Sequence, residues 1–178
     1  MTPAPAVLPL LERIDLPSAA QPIWDRIAAR GPVAPMIKVL ANHPALLEAY
    51  WQLGVEVNDE PGIPTTTVHL LGLRTCQLDQ SEYGWTQRLK KAHADGVDPA
   101  KIAALDDWSH STAFDDDERV LLAFTDHLAA RAPLAASLRA ELGERFAPRQ
   151  IVGVAMLVLY YVMNHKYVDV MKIRPVHQ

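Results

Sequence analysis

The chain has a single cysteine, Cys76, among its 178 residues. No intrachain disulfide can form, and neither a cysteine-rich zinc site nor a Cys-x-x-Cys redox pair is possible. The seven histidines are scattered, and no two of them have the i, i+4 spacing of a helical zinc motif. No phosphate loop, nucleotide fingerprint or nucleophile elbow is present. The sequence therefore predicts no metal and no cofactor.

The chain also lacks a large excess of charge and a long apolar run. It has 17 Lys and Arg against 21 Asp and Glu, and the basic residues are scattered, so we expect no nucleic-acid partner. The N-terminus has neither the basic start nor the apolar segment of a signal peptide. The apolar run Ile151–Met163 is shorter than the roughly 20 residues that cross a bilayer. We expect a cytoplasmic protein that does not bind membranes.

No segment shows the two-residue alternation of a half-buried strand, so the sequence predicts an all-α fold. Residues 1–17, which contain four prolines, are predicted to form an extended arm that lies over the body or reaches a neighbouring subunit. Residues 18–178 are predicted to form one helical domain. Helices are expected at 21–30, 34–42, 45–57, 65–78, 80–94, from 99, 115–131, 134–146 and 148–171.

Capping residues predict where several of these helices begin. Ser18 is a candidate N-cap of the first helix, and Asp79 with Glu82 has the spacing of a capping box for the helix that ends near residue 94. Asp98-Pro99 and Asp115-x-x-Glu118 predict two further starts.

Two helices at residues 65–94 are predicted to form the centre of the fold. Each has three residues at i, i+3 and i+7, so they share a face: His69, Gly72 and Cys76 on the first, and Ser81, Gly84 and Arg88 on the second. If the two faces meet, they can line a small pocket. A glycine inside a helix costs about 1 kcal/mol relative to alanine, so Gly72, Gly84 and Gly153 indicate either close packing or space for a ligand.

Each polar residue of this stretch also has a structural explanation. His69 is explained equally by a hydrogen bond inside the fold, and Cys76 by its behaviour as a small buried apolar side chain. Ser81 fits a helix cap, and Arg88 fits a solvated cation near a helix C-terminus. Tyr83 and Trp85 fit core or interface positions.

Four segments in order resemble the carboxymuconolactone decarboxylase and alkylhydroperoxidase D-like (AhpD-like) superfamily, and in particular its peroxidase-related branch. They are "NHPALLEAY", "LGLRTCQLDQSEYGWTQR", "GVDPAKIAAL" and "AFDDDERVLLAFTDHL", which lie between Asn42 and Leu128. The end of the last helix, Tyr160–His165, also fits the closing helix of the family. The resemblance implies an AhpD-like helical bundle that assembles into trimers or hexamers.

The resemblance also implies which catalytic groups are missing. The peroxidases of the family use a Glu, a Cys-x-x-Cys pair and a His, which correspond here to His69, Ser81, Gly84 and Arg88. A serine and a glycine cannot form a disulfide, so the dithiol peroxidase mechanism is excluded. Cys76 precedes the motif by five residues and is not expected to replace either missing thiol by its position.

Three functions remain open at this stage. The favoured one is a cofactor-free, lyase-like enzyme that acts by proton transfer on a small carboxylated lactone or aromatic substrate. In this interpretation, Arg88 binds the carboxylate, His69 is the acid/base, and Ser81 or Tyr83 donates a hydrogen bond. Gly72, Cys76, Gly84 and Trp85 would line the pocket. The alternatives are a non-catalytic small-ligand-binding or oligomeric scaffold, and a one-cysteine alkylhydroperoxidase or peroxiredoxin-type activity through Cys76.

Overall fold

The computed structural model describes residues 7–59 and 61–174, and within these residues all regular structure is helical. The α-helices are α1 (Gln21–Ala28), α2 (Pro35–Leu40), α3 (Pro44–Asp59), α4 (Thr65–Leu78), α5 (Glu82–Ala94), α6 (Pro99–Ala104), α7 (Asp116–Ala130), α8 (Ala136–Arg145) and α9 (Pro148–Val170). The all-α prediction is confirmed, and the predicted helices are all present with small differences at their ends.

The helices belong to two compact units, each of which has its own core. One unit comprises Met1–Val55 and Lys166–Gln178, and the other comprises Glu56–His165. The first unit buries Ile23, Trp24 and Ile27 of α1 against residues of α2 and the start of α3. Part of the predicted arm lies on this unit, because the amide of Leu11 donates to the carbonyl of Lys38 at 3.2 Å. Residues 1–6 of the arm lie outside the described residues.

The second unit is built around α4. Nine of its 14 residues are buried, and α4 packs against both α5 and α7. α4 begins directly after Pro64. The backbone of Pro64 is extended, so the helix does not continue towards the N-terminus. Because α4 is buried on more than one face, several of its polar side chains, among them His69 and Thr75, lie inside the protein.

A tight turn joins α4 to α5. Gln80 adopts a left-handed conformation with φ of 53°, the amide of Ser81 donates to the carbonyl of Cys76 at 2.9 Å, and the amide of Gln80 donates to Gln77 at 3.1 Å. These two bonds are those of a Schellman motif at a helix C-terminus. The motif reverses the chain within two residues and brings the end of α4 against the start of α5.

The structure corrects two of the predicted caps. Asp79 is the C-cap of α4 and not part of a capping box, whereas Ser81 is the N-cap of α5 and accepts from the amide of Gly84 at 3.1 Å. Ser18 begins a short 3-10 turn, and Ala20 precedes α1 without a side-chain cap. The predicted caps at Asp98 and at Asp115 with Glu118 are confirmed.

α9 is longer than the apolar run that the sequence shows. By length and composition alone this 23-residue helix could cross a bilayer, and 39% of its most apolar 18-residue window is buried inside the protein. Its buried face includes Tyr161 and His165, which lie one turn apart on the same side of the helix. The features of α9 are those of a core helix, which passes the same test of length and composition.

Candidate functional site

The side chains of Cys76, His165 and Asp79 form a continuous hydrogen-bonded row in the second unit. The Sγ of Cys76 lies 3.4 Å from Nε2 of His165, and Nδ1 of His165 lies 2.8 Å from Oδ2 of Asp79. An ionised carboxylate can only accept, so Nδ1 carries the proton and Nε2 presents its lone pair to the thiol. This is the order of groups in a nucleophile, base and orienting-acid triad.

Two members of this row, Cys76 and Asp79, lie close together because both belong to the C-terminal end of α4. Cys76 lies in the last turn of α4 and Asp79 caps it, so both side chains lie at the same helix end. His165 arrives from α9 and is 7% exposed, while Cys76 is 4% exposed. The row is therefore formed by side chains from α4, its C-cap and α9, and it is largely shielded from solvent.

Gly84 provides the space that the row occupies. A Cβ atom on Gly84 would lie 2.5 Å from Nε2 of His165 and 2.9 Å from Sγ of Cys76. Both distances are shorter than real Cβ contacts, so a side chain at this position would require the row to shift. Although Cys76 precedes the motif by five residues in the sequence, its sulfur lies beside the place where a side chain at position 84 would begin.

Burial controls the ionisation of the thiol. Burial is the main reason why the pKa of Cys76 is raised to about 12; the positive charge of Arg88 opposes this shift, and the Asp79 carboxylate adds to it. At neutral pH the resting site therefore contains a neutral thiol that donates towards His165. Any nucleophilic reaction of this sulfur requires that its proton be removed as the reaction proceeds.

An open pocket of about 560 Å³ reaches this thiol at the junction of α4 and α5. Its lining residues come from the end of α4, the turn and the first two turns of α5: Cys76, Gln77, Gln80, Ser81, Glu82, Trp85 and Thr86. Of the residues predicted to line the site, the structure places Cys76, Ser81 and Trp85 here. Tyr83 and Gly84 lie on α5 but are not part of the pocket lining.

Arg88 lies in an internal network rather than in solvent. Its guanidinium donates to Nδ1 of His69 at 3.3 Å, to Oδ1 of Asn58 at 3.2 Å and to the hydroxyl of Tyr161. It also lies 4.4 Å from the centre of the Tyr161 ring, a cation-π contact. Gly72 makes room for this network, since a Cβ there would lie 2.9 Å from the Tyr161 ring and 3.1 Å from Nε of Arg88.

His69 bridges this network to the end of α5. Its Nε2 lies 2.6 Å from Oδ2 of Asp95, and its Nδ1 faces Arg88, so both ring nitrogens have partners within the protein. Burial lowers the pKa of His69, Asp95 raises it, and Arg88 lowers it. The bond from Arg88 requires a lone pair on Nδ1, which is consistent with a neutral imidazole that donates to Asp95 through Nε2.

Sequence reasoning placed His69, Ser81, Gly84 and Arg88 around one helix pair but missed two members of the row. Asp79 was assigned to a cap, and His165 was named only as the end of the stretch Tyr160–His165 and as one of the scattered histidines. Eighty-six residues separate Asp79 from His165, and no periodic pattern links residues at that distance. The three helical glycines were the usable signal, because a Cβ at each would collide with a neighbouring residue. Close packing is thus their role.

The comparison with known proteins identifies this arrangement of helices. Residues 44–127 match the carboxymuconolactone decarboxylase family. The chain is similar to that family over this stretch, which is just under half of its length. The family match contains α4, α5 and the turn between them, and therefore Cys76, Asp79 and Gly84, while His165 lies beyond it. No curated protein matches the chain in sequence.

Solved structures show the same fold over nearly the whole chain. A peroxidase-related protein from Silicibacter sp. TM1040 has a TM-score of 0.82 at 18% identity, over 99% of this chain and 93% of that one. A variant of the debrominase Bmp8 in complex with 2,3,4-tribromopyrrole has a TM-score of 0.81 at 18% identity, over 97% and 94%. An AhpD-core, peroxidase-related protein from Ralstonia eutropha JMP134 has a TM-score of 0.78 at 14% identity, over 96% and 92%. These matches show the AhpD-like fold.

The site differs from the dithiol centre that the family resemblance implies. Among the described residues, Cys76 is the one thiol, and no group of three or more His, Cys, Asp or Glu side chains could hold a metal ion. The site thus has a single buried thiol with a histidine and a carboxylate beside it.

Proposed function

We propose that the protein is a single-thiol peroxidase of the carboxymuconolactone decarboxylase family, which reduces a small organic hydroperoxide at Cys76. The observation that carries the proposal is the row Cys76, His165 and Asp79, with the thiol at the wall of an open pocket. A structural cysteine needs no hydrogen-bonded imidazole, and a structural imidazole needs no pocket beside it. The combination is that of a thiol with a general base beside it, which can take the thiol proton as the reaction proceeds.

In the first half of the reaction, Sγ of Cys76 attacks the terminal oxygen of the hydroperoxide. The thiol proton moves to Nε2 of His165 as the sulfur–oxygen bond forms and the oxygen–oxygen bond breaks. The leaving alkoxide takes that proton from the imidazolium and departs as an alcohol, which leaves a sulfenic acid on Cys76. Asp79 orients the ring and stabilises the transient positive charge.

In the second half, an external thiol regenerates the enzyme, because the chain has no other cysteine. A first thiol condenses with the sulfenic acid to give a mixed disulfide and water, and a second thiol displaces Cys76 and forms a disulfide with the first. The net reaction consumes one hydroperoxide and two thiols. It yields one alcohol, one water and one disulfide.

The contacts of Arg88 weigh against proton transfer on a carboxylated substrate. A carboxylate bound at this guanidinium would have to displace His69, Asn58 or Tyr161, each of which already accepts from it or contacts it. His69 would have to release Asp95 or Arg88 to act as an acid/base. The row at Cys76 needs no such rearrangement, and it also supports catalysis over a purely non-catalytic scaffold.

A second candidate is thiol-dependent debromination of a small aromatic ring. It is supported by the likeness of the fold to Bmp8 in complex with 2,3,4-tribromopyrrole, together with the presence of Trp85 and Cys76 in one pocket. An indole face suits the stacking of a planar ring. Cys76 would be the nucleophile in both reactions. The assay described next therefore shows which substrate is consumed, and it tests the same thiol in both cases.

The test measures the consumption of cumene hydroperoxide, and separately of 2,3,4-tribromopyrrole, with dithiothreitol as the reductant. We expect turnover by the natural protein, none above background by Cys76→Ser, and a dimedone adduct on Cys76 after one addition of hydroperoxide without reductant. Cys76→Ser is a suitable control because it keeps a small side chain that can donate to His165. Equal turnover by the natural protein and Cys76→Ser would refute a thiol mechanism.

A further inference from the structure

The pocket beside Cys76 has an unbalanced charge. Of its seven lining side chains, Glu82 is the single charged one, and none of the seven is Lys or Arg. Gln77, Gln80, Ser81 and Thr86 supply neutral polar groups, and Trp85 supplies an aromatic surface. Asp79, which lies in the same turn, adds a second carboxylate close to the base of the pocket.

The N-terminus of α5 opposes this charge but does not cancel it. A helix N-terminus carries about half of a positive elementary charge, and a free one favours anions. Here the hydroxyl of Ser81 already accepts from the amide of Gly84, and Glu82 occupies the first helical position with a full negative charge. Glu82 is therefore the one full charge among the residues that line the pocket.

Arg88, the cation that would favour an anionic substrate, is directed elsewhere. Its donors face His69, Asn58 and Tyr161, none of which lines the pocket. The volume of about 560 Å³ is also much larger than an inorganic peroxide needs, so the pocket has space for an organic group against Trp85.

We infer that Glu82 is a specificity-determining residue that excludes anionic substrates, so that the pocket takes an uncharged hydroperoxide whose aromatic or branched body lies against Trp85. The inference rests on the proposed function for the chemistry at Cys76. It adds two points to that function: the substrate is uncharged, and Glu82 is the residue that selects it. It also replaces the carboxylated substrate that the sequence predicted.

The experiment compares two substrates that differ by one carboxylate: cumene hydroperoxide and its para-carboxylate. At low salt we expect kcat/KM to favour the uncharged substrate by about tenfold, which is what a charge repulsion of about 1.4 kcal/mol produces. Glu82→Lys should shift the ratio of the two kcat/KM values by at least the same factor towards the carboxylate, mainly through KM. Raising the ionic strength should reduce the preference, because the Debye length is only about 10 Å at 0.1 M salt.

A matched control separates local charge from net charge. Glu144→Lys makes the same change in total charge at an exposed position on α8, outside the pocket, and should leave the ratio as in the natural protein. Equal kcat/KM for the two substrates, or a ratio that Glu82→Lys leaves unchanged, would overturn the inference.

A binding measurement keeps the two proposals distinguishable. If the natural protein turns over neither hydroperoxide, the peroxidase function is wrong, and selectivity is then measured with the unreactive product alcohols. Cumyl alcohol should raise the melting temperature of Cys76→Ser more than its para-carboxylate does, since a ligand stabilises in proportion to its occupancy of the native state. Equal stabilisation by the two alcohols, or stabilisation by neither, would reject the role of Glu82.

Discussion

The thiol of Cys76 lies 3.4 Å from the imidazole of His165, although 89 residues separate the two in the chain. The contact joins the C-terminal end of α4 to α9 through the gap left by Gly84. In the proposed mechanism His165 is the base, and it lies outside the matched family region.

Replacing His165 should remove the base without removing the thiol. We expect His165→Gln to lower kcat/KM for hydroperoxide reduction by about 100-fold or more, the usual contribution of a general base. Asp79→Asn should cost less than His165→Gln, because the ring and its lone pair remain. Circular dichroism spectra identical to that of the natural protein establish that the fold is retained. A His165→Gln enzyme with more than half of the natural activity would show that the proton has another acceptor.

The reactivity of Cys76 towards iodoacetamide should increase steeply with pH. Burial raises the pKa of this thiol to about 12, so the reactive thiolate is scarce at neutral pH and grows with each unit of pH up to that value. The same protein in urea provides the control, since an exposed cysteine titrates near 8.5. A native rate that reaches its plateau below pH 9 would contradict the raised pKa.

Gly84→Ala should destabilise the fold. The added methyl would lie 2.5 Å from His165 and 2.9 Å from Cys76, and overpacking of this kind costs about 1–3 kcal/mol. Gly143→Ala is the matched control, because Gly143 lies inside α8 with nothing within 4 Å of the new atom. The free energy of unfolding of Gly143→Ala should increase by up to about 1 kcal/mol, because alanine has a higher helix propensity than glycine. Urea unfolding of both variants measures the difference, and equal stabilities would show that the row can move aside.

Arg88→Met should lower the melting temperature. The change leaves the hydroxyl of Tyr161 and the amide oxygen of Asn58 without their cation, and loss of buried partners of this kind costs about 1–3 kcal/mol. Arg139→Met is a suitable comparison, since Arg139 is exposed and makes one long bond to the carbonyl of Leu134. If the two variants melt at the same temperature, Arg88 does not stabilise the fold and is free to bind a substrate carboxylate.

The exposed side of α9 predicts self-association. Val152, Met156, Leu159 and Met163 are between 40% and 62% exposed, and their spacing of four, three and four residues places them in one row along the helix. We propose that this row contacts a second copy of the chain, as the expected homo-oligomer requires. Light scattering of the natural protein should give a mass above 19.7 kDa, and Met156→Glu with Leu159→Glu should reduce it towards that value. A natural protein that is monomeric at all concentrations would exclude the proposal.

The sequence predicted the helices well because their signals are local. Pro64, Asp98 with Pro99 and the capping box at Asp115 act within one turn of the helix that each begins. The cap at Asp79 was wrong for the same reason. Asp79 has the capping-box spacing to Glu82, but Ser81, two residues later, is also a residue type that caps helices. The left-handed conformation of Gln80 ends α4 and leaves Ser81 as the N-cap of α5.

The site was predictable only where it depends on helix periodicity. The i, i+3, i+7 faces correctly brought Gly72 and Gly84 to the contact between α4 and α5. They could not reveal that α9 fills that contact with Tyr161 and His165, because tertiary packing between distant segments has no local pattern. The roles assigned to Arg88 as the carboxylate-binding group and to His69 as the acid/base stay predictions.

The glycine at position 84 has a consequence for engineering. A Cβ atom at this position would lie 2.5 Å from Nε2 of His165 and 2.9 Å from Sγ of Cys76. A cysteine introduced there, where the dithiol members that this chain resembles have their second thiol, would therefore require the row to move. Restoring a dithiol pair at positions 81 and 84 would disturb Cys76 and His165 as well, so it is not a change to two positions alone.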